Sequence, residues 1–174
     1  MQVFLIRHPR PLIAEGICYG CLDIDCEDPL PIAERLRAQL PAGTPIISSP
    51  LQRARKLAEA IDTDARCDAR LREIDFGGWE GQPWDAIDRA LLDAWAADMR
   101  DFCLHGGESV RQLEARVIDF ACWLAASGLP RVALVAHAGV LRALSGYWRN
   151  LPLDAWTQLP FAFGGLTEIE VTTP

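Results

Sequence analysis

Two of the three histidines in this chain lie at the ends of its two most apolar short runs. Val3-Phe4-Leu5-Ile6 ends in Arg7, His8 and Pro9, and Val132-Ala133-Leu134-Val135-Ala136 ends in His137, Ala138 and Gly139. Runs of this length and composition read as strands buried on both faces. In open α/β sheets the carboxyl ends of the strands are where ligands bind. If the two strands lie side by side and parallel, they bring two imidazoles and the Arg7 guanidinium to one edge. A further cation, Arg53, falls in the first turn of a helix behind another strand-like run, residues 44–49, where an arginine opposes the helix dipole and an anion would offset it. Two imidazoles and two guanidiniums without a carboxylate or thiolate set make a poor zinc site, because the arginines repel the metal. They suit a phosphoryl group, whose oxygens take paired guanidinium contacts. The turn at Ala138 would aim helix amides at the same anion.

The elements that must position these groups can be read in order. Pro11 to Pro31 reads as a loop near the carboxyl end of the first strand, carrying Cys18, Tyr19, Cys21 and Cys26. Ile32, Leu36 and Leu40 recur at helical spacing, and Pro41 to Pro45 ends that helix. After the strand at 44–49, Pro50 suits the first turn of a helix whose core side is Leu51, Ala54, Leu57, Ala58 and Ile61. Asp68 to Gly81 reads as an ordered loop over the same edge, with Glu73, Asp75 and Glu80 set among glycines. Pro83 to Arg100 is expected as one helix with Trp84, Ile87, Leu91 and Trp95 on one side. Helices are also expected over Val110–Leu124 and Val140–Trp148. Phe161–Val171 reads as one or two strands bent at Gly164-Gly165, with Leu166, Ile169 and Val171 in the core. This alternation predicts an α/β fold: a single domain over 1–174, built as a three-layer sandwich with a mostly parallel central sheet and helices on both faces.

With 174 residues, 50% of them hydrophobic and 24% charged, the chain is large enough to bury a core without staples. The first apolar run has no basic segment before it of the kind that opens a secretory signal, so a cytoplasmic location is expected. No apolar run approaches membrane-spanning length, so no membrane association is expected. A net charge of −7 argues against a sequence-independent nucleic-acid partner. An anionic ligand must therefore meet a local cluster of cations, for which Arg7, Arg10, Arg53 and Arg55 are candidates. Cys18-x-x-Cys21 could be half of a zinc site, but the other half is missing, and six scattered cysteines read better as free thiols.

Taken together, LIRHP at 5–9, SSPLQRARKLA at 48–58, LREIDFGGWEG at 71–81, GGES at 106–109 and VAHAG at 135–139 resemble the histidine phosphatase superfamily, which includes the cofactor-dependent phosphoglycerate mutases. The resemblance implies that His8 is the residue phosphorylated, that Arg7, Arg53 and His137 cradle the phosphoryl group, and that Glu73 is the proton donor. It implies no metal or other cofactor. Glu80 is a rival acid, and His105 is read as a loop residue. The chain departs from the family at Pro9, where glycine is usual, at Arg10, where an acid is usual, and at Ala14, where an asparagine is usual. Pro9 removes a backbone donor and Ala14 a side-chain one.

The expected activity is therefore phosphomonoester hydrolysis through a phosphohistidine, with a small phosphorylated metabolite as partner. The RHPRP opening and the Cys18-Tyr19-Gly20 stretch look most like bacterial α-ribazole-5′-phosphate phosphatases of cobalamin biosynthesis. Two alternatives are a mutase-like phosphotransferase and a non-catalytic binding relative on the same fold. Arg10, Tyr19, Trp79 and Trp84 are candidates for the substrate pocket, where flat side chains would suit a heteroaromatic ring; Trp79 and Tyr19 could equally close the core.

Overall fold

A computed structural model describes residues 1–103 and 105–172. Its central sheet has the strand order β3-β2-β4-β1-β5. The strands are β1 (Gln2–Arg7), β2 (Ile46–Ser48), β3 (Arg66–Cys67), β4 (Arg131–Ala136) and β5 (Leu166–Glu170). β1, β4, β2 and β3 run parallel, and β5 closes the β1 edge antiparallel. The helices are α1 (Leu30–Gln39), α2 (Gln52–Ile61), α3 (Arg89–Ala97), α4 (Val110–Ala126), α5 (Ala138–Arg149) and the short α6 (Leu153–Trp156).

The period of two along the buried strands divides the core into two layers. Val3 and Leu5 of β1, with Val132, Leu134 and Ala136 of β4, face α4 and α5. Phe4 and Ile6, with Ala133 and Val135, face α1 and α2. Both faces are covered, which is why β1 and β4 carry only apolar residues between their first residue, Gln2 or Arg131, and the polar residues at their ends. The register sets Ile6 beside Val135 and Arg7 beside Ala136. His8 N–H then donates to Ala136 O at 3.0 Å, so the ladder runs one residue beyond the strand and sets the two histidine positions abreast.

Some expectations are corrected. The helix read over Pro83–Arg100 is broken: a 3₁₀ turn spans Trp84–Ala86, Ile87 is extended, and Asp88 caps a new helix by accepting the Ala90 N–H at 2.8 Å. The apolar period survives the break because Ile87, Trp84, Leu91 and Trp95 still share one cluster. β3 and α6 escaped the sequence reading. β3 is two exposed residues held by backbone pairing to β2, without an apolar pattern. The C-terminal segment forms one strand, with Gly164 at φ +65° in the bend before it.

Candidate functional site

His8 is delivered by β1 and Pro9. Its side chain is 2% exposed, and its Nδ1 lies 2.6 Å from the Pro9 carbonyl. A carbonyl oxygen can only accept, so Nδ1 carries the ring proton and Nε2 keeps its lone pair. Proline in place of glycine removes an N–H, but the carbonyl that orients the ring remains. Burial, followed by the Arg53 charge, pushes the His8 pKa down to about 3, so the ring is neutral at physiological pH.

His137 caps the start of α5 and is fully buried, its ring centroid 5.0 Å from that of His8. Its Nε2 lies 2.8 Å from Ser49 Oγ, which already accepts the Leu51 N–H at 3.2 Å. With that oxygen already accepting, Ser49's own proton goes to the bond to Nε2, and the ring proton stays on Nδ1. Burial, then the Arg53 charge, holds His137 well below the usual histidine range.

The two arginines are tied down by backbone carbonyls. Arg7 Nη1 donates to Phe161 O at 2.7 Å, and its guanidinium carbon sits 3.7 Å from the centroid of the Phe163 ring. Arg53, fully buried, donates to Leu22 O at 2.7 Å and to Gly20 O at 2.6 Å. Burial works against the charge of both, while the nearby Glu73 carboxylate favours it. Among the described residues, three buried side-chain nitrogens have no partner: Arg7 Nε, Arg53 Nε and His137 Nδ1. An unpaired buried donor costs ~1–3 kcal/mol, so three of them on neighbouring residues mark a place prepared for an acceptor-rich anion.

Glu73 enters from the loop between β3 and α3. Its Oε2 accepts the Gly139 N–H at 3.0 Å, two residues past His137, and its Oε1 accepts the Ile74 N–H at 3.1 Å. Its own backbone is clamped: Arg116 Nη2 donates to Glu73 O at 3.1 Å and Nη1 to Arg70 O at 2.7 Å, while Nε and Nη2 grip Glu108 at 2.6 and 2.8 Å. Cys21 Sγ adds a contact to Glu73 O at 3.0 Å. Glu80 is committed elsewhere, accepting the backbone N–H groups of Cys21 at 2.8 Å, Phe76 at 3.0 Å and Leu22. That carboxylate fastens the 20–22 loop, on which Arg53 also holds.

The sequence matches the family described as the histidine phosphatase superfamily (branch 1) over residues 3–173. The chain belongs to the histidine phosphatase superfamily. It is a phosphatase of the phosphoglycerate mutase-like kind. A glucosyl-3-phosphoglycerate phosphatase of Mycolicibacterium vanbaalenii is 34% identical over 91% of this chain and 78% of its own length. The native structure of a mycobacterial glucosyl-3-phosphoglycerate phosphatase superposes with a TM-score of 0.80 at 29% identity, covering 96% of this chain and 88% of that one. An Escherichia coli structure with a provisional α-ribazole-5′-phosphate phosphatase assignment has a TM-score of 0.85 over 97% of this chain and 89% of that one; at 22% identity it speaks for the fold alone.

Of the expected site residues of this superfamily member, His8, His137, Arg7, Arg53 and Glu73 lie together, with Ala138 opening α5 beside them. Tyr19 lies next to them, its ring 5.5 Å from the Arg53 guanidinium carbon. Arg10 is exposed, 3.9 Å from Glu27, with its guanidinium carbon 5.4 Å from the Phe163 ring. Trp79 and Trp84 are taken up elsewhere. Trp79 is 5% exposed and packs with Phe102 and His105, at ring separations of 5.7 and 4.9 Å, while Trp84 stacks on Trp95 at 6.1 Å. His105 is a loop residue, as read from the sequence, and it is buried in the aromatic cluster. Ser49, Arg116 and Phe163 were not singled out by type. Ser49 and Glu108 do fall inside the SSPLQRARKLA and GGES stretches, which was the available signal; Phe163 had none. Among the described residues no helix is long and apolar enough to cross a membrane.

Proposed function

We propose that His8 is the nucleophile of a phosphomonoesterase. The Nε2 lone pair attacks phosphorus, the ester P–O bond breaks, and the departing alkoxide takes a proton from Glu73. Water then gives its proton to Glu73 and attacks the phosphohistidine, releasing phosphate and restoring His8. Arg7, Arg53 and His137 Nδ1–H stabilise the charge on the transferring oxygens, the largest contribution expected in phosphoryl transfer. The observation that carries this reading is the Nδ1 contact to Pro9 O at 2.6 Å, which leaves Nε2 unprotonated beside two guanidiniums.

Within this class we take α-ribazole 5′-phosphate as the substrate to test first, on the strength of the RHPRP opening and Cys18-Tyr19-Gly20. A mutase-like transfer would need to hold a second anionic group, and the buried cations are already committed to the phosphoryl site. The test is quenching in alkaline denaturant after a pulse of labelled ester, which preserves the acid-labile P–N bond, followed by mapping of the alkali-stable label. Label on His8 is expected; label on His137 or on a cysteine would overturn the assignment. Hydrolysis of α-ribazole 5′-phosphate no better than that of 3-phosphoglycerate would remove the narrower reading only.

A further inference from the structure

A cleft of about 360 Å³ opens beside the phosphoryl site, lined by Arg10, Ile13, Ala14, Ile17, Tyr19 and Phe163. Its two aromatic walls are also the neighbours of the two buried guanidiniums. Phe163 lies 3.7 Å beneath the Arg7 guanidinium carbon and 5.5 Å, ring to ring, from His8; Tyr19 lies 5.5 Å from the Arg53 guanidinium carbon. An ester with its phosphorus at His8 can therefore place its organic part between those walls. The charges along the cleft are Arg10, whose side chain is 58% exposed, and Glu15 of opposite sign. A second anion would gain little there, because an exposed cation is screened by solvent and Glu15 works against it. Flat, uncharged surface gains more from Phe163, Tyr19 and the aliphatic floor.

The Phe163 wall is fixed to the chemistry by backbone. Gly164 N–H is shared between Arg7 O and His8 O at 3.0 and 3.1 Å, Arg7 N–H donates to Gly165 O at 3.2 Å, and Arg35 Nη2 holds Gly164 O at 2.7 Å. The bend that carries Phe163 is thus stitched to the strand end that carries the nucleophile. We propose that this cleft is the leaving-group subsite, with Phe163 as its specificity-determining wall, and that it takes a flat aromatic or heteroaromatic group. The proposal rests on the phosphatase reading above and is independent of which aromatic ester is the natural one.

The test is calorimetric binding of two non-hydrolysable probes, benzylphosphonate and methylphosphonate, to the intact protein. Wild type is expected to bind benzylphosphonate about tenfold more tightly, and Phe163→Ala to shrink that ratio by roughly threefold to tenfold, the range of an aromatic pair, with Phe163→Tyr retaining it. Phe163→Leu, which keeps apolar volume without a ring, stands in if the alanine variant does not fold, with about a threefold loss expected. A wild-type ratio near one, a ratio unchanged by the substitutions, or equal weakening of both probes would overturn the proposal; the last would make Phe163 a support for Arg7 only. Neither probe turns over, so the phosphatase reading stands or falls on the labelled histidine and the subsite on this ratio.

Discussion

The ends of β1 and β4 begin alike and finish differently. Each strand buries a run of aliphatic side chains and hands a histidine to the same edge, and the two rings sit 5.0 Å apart. At the end of β1 the next residue's carbonyl takes the Nδ1 proton and bares Nε2. At the end of β4 the Ser49 hydroxyl occupies Nε2 and leaves the proton on Nδ1. One imidazole is thus arranged to give an electron pair and the other to give a hydrogen bond. On the reading proposed above, what separates the nucleophile from the oxyanion donor is which ring nitrogen the backbone or a serine has already engaged; both rings are buried and both have lowered pKa values.

The strongest way to break this comparison is to delete each ring in turn. His8→Ala should abolish turnover and leave no labelled protein, whereas His137→Ala should lower kcat by about 10²–10³, the cost of one oxyanion donor, with label still mapping to position 8. Equal losses measured by steady-state kinetics, or label in His8→Ala, would show that the two ends are interchangeable.

A gentler substitution sharpens it. Ser49→Ala removes the partner that fixes the His137 tautomer without touching either ring, and a loss of roughly threefold to tenfold in kcat, equivalent to a hydrogen bond of ~0.5–1.5 kcal/mol, is expected with KM nearly unchanged. Ser49→Thr should restore it. An unchanged kcat in Ser49→Ala would leave His137 oriented by packing alone.

The smallest effect is one of acid stability. The folded protein holds His8 near pKa 3, while an unfolded histidine titrates near 6.5. Between those values the unfolded chain binds more protons, so stability rises with pH in that window; it is complete above about 6.5 and is lost as pH falls toward about 3. His137 is depressed in the same direction. Thermal melts from pH 7 down to 4 should therefore fall less steeply for His8→Gln than for wild type, and parallel curves would mean that the ring is solvated.

The central strands, α2 and the pairing of the two histidines were legible in the sequence because each rests on a local pattern: an aliphatic run, a helical period, a polar residue at a strand end. Pro83–Arg100 was misread as one helix because its apolar period continues through Ile87 while the backbone does not, Asp88 capping a second start. Phe163 was invisible for another reason. Its position over Arg7 depends on the β1–β5 pairing and on Gly164 meeting the end of β1, contacts across more than 150 residues that no local spacing encodes. Trp79 and Trp84 show the converse, aromatic residues suited by type to a pocket but held in a cluster under α3.

Gly139, at the head of α5, has a consequence for how this chain can change over time. A methyl group there would lie 3.2 Å from the Glu73 carboxyl carbon and run into its Oε1. The second residue of one helix is therefore part of the mould for an acid carried by a different segment. Any side chain at 139 pushes the Glu73 carboxylate off the Gly139 N–H that now holds it at 3.0 Å, so a lineage that replaces this glycine can keep the glutamate but not its present seat.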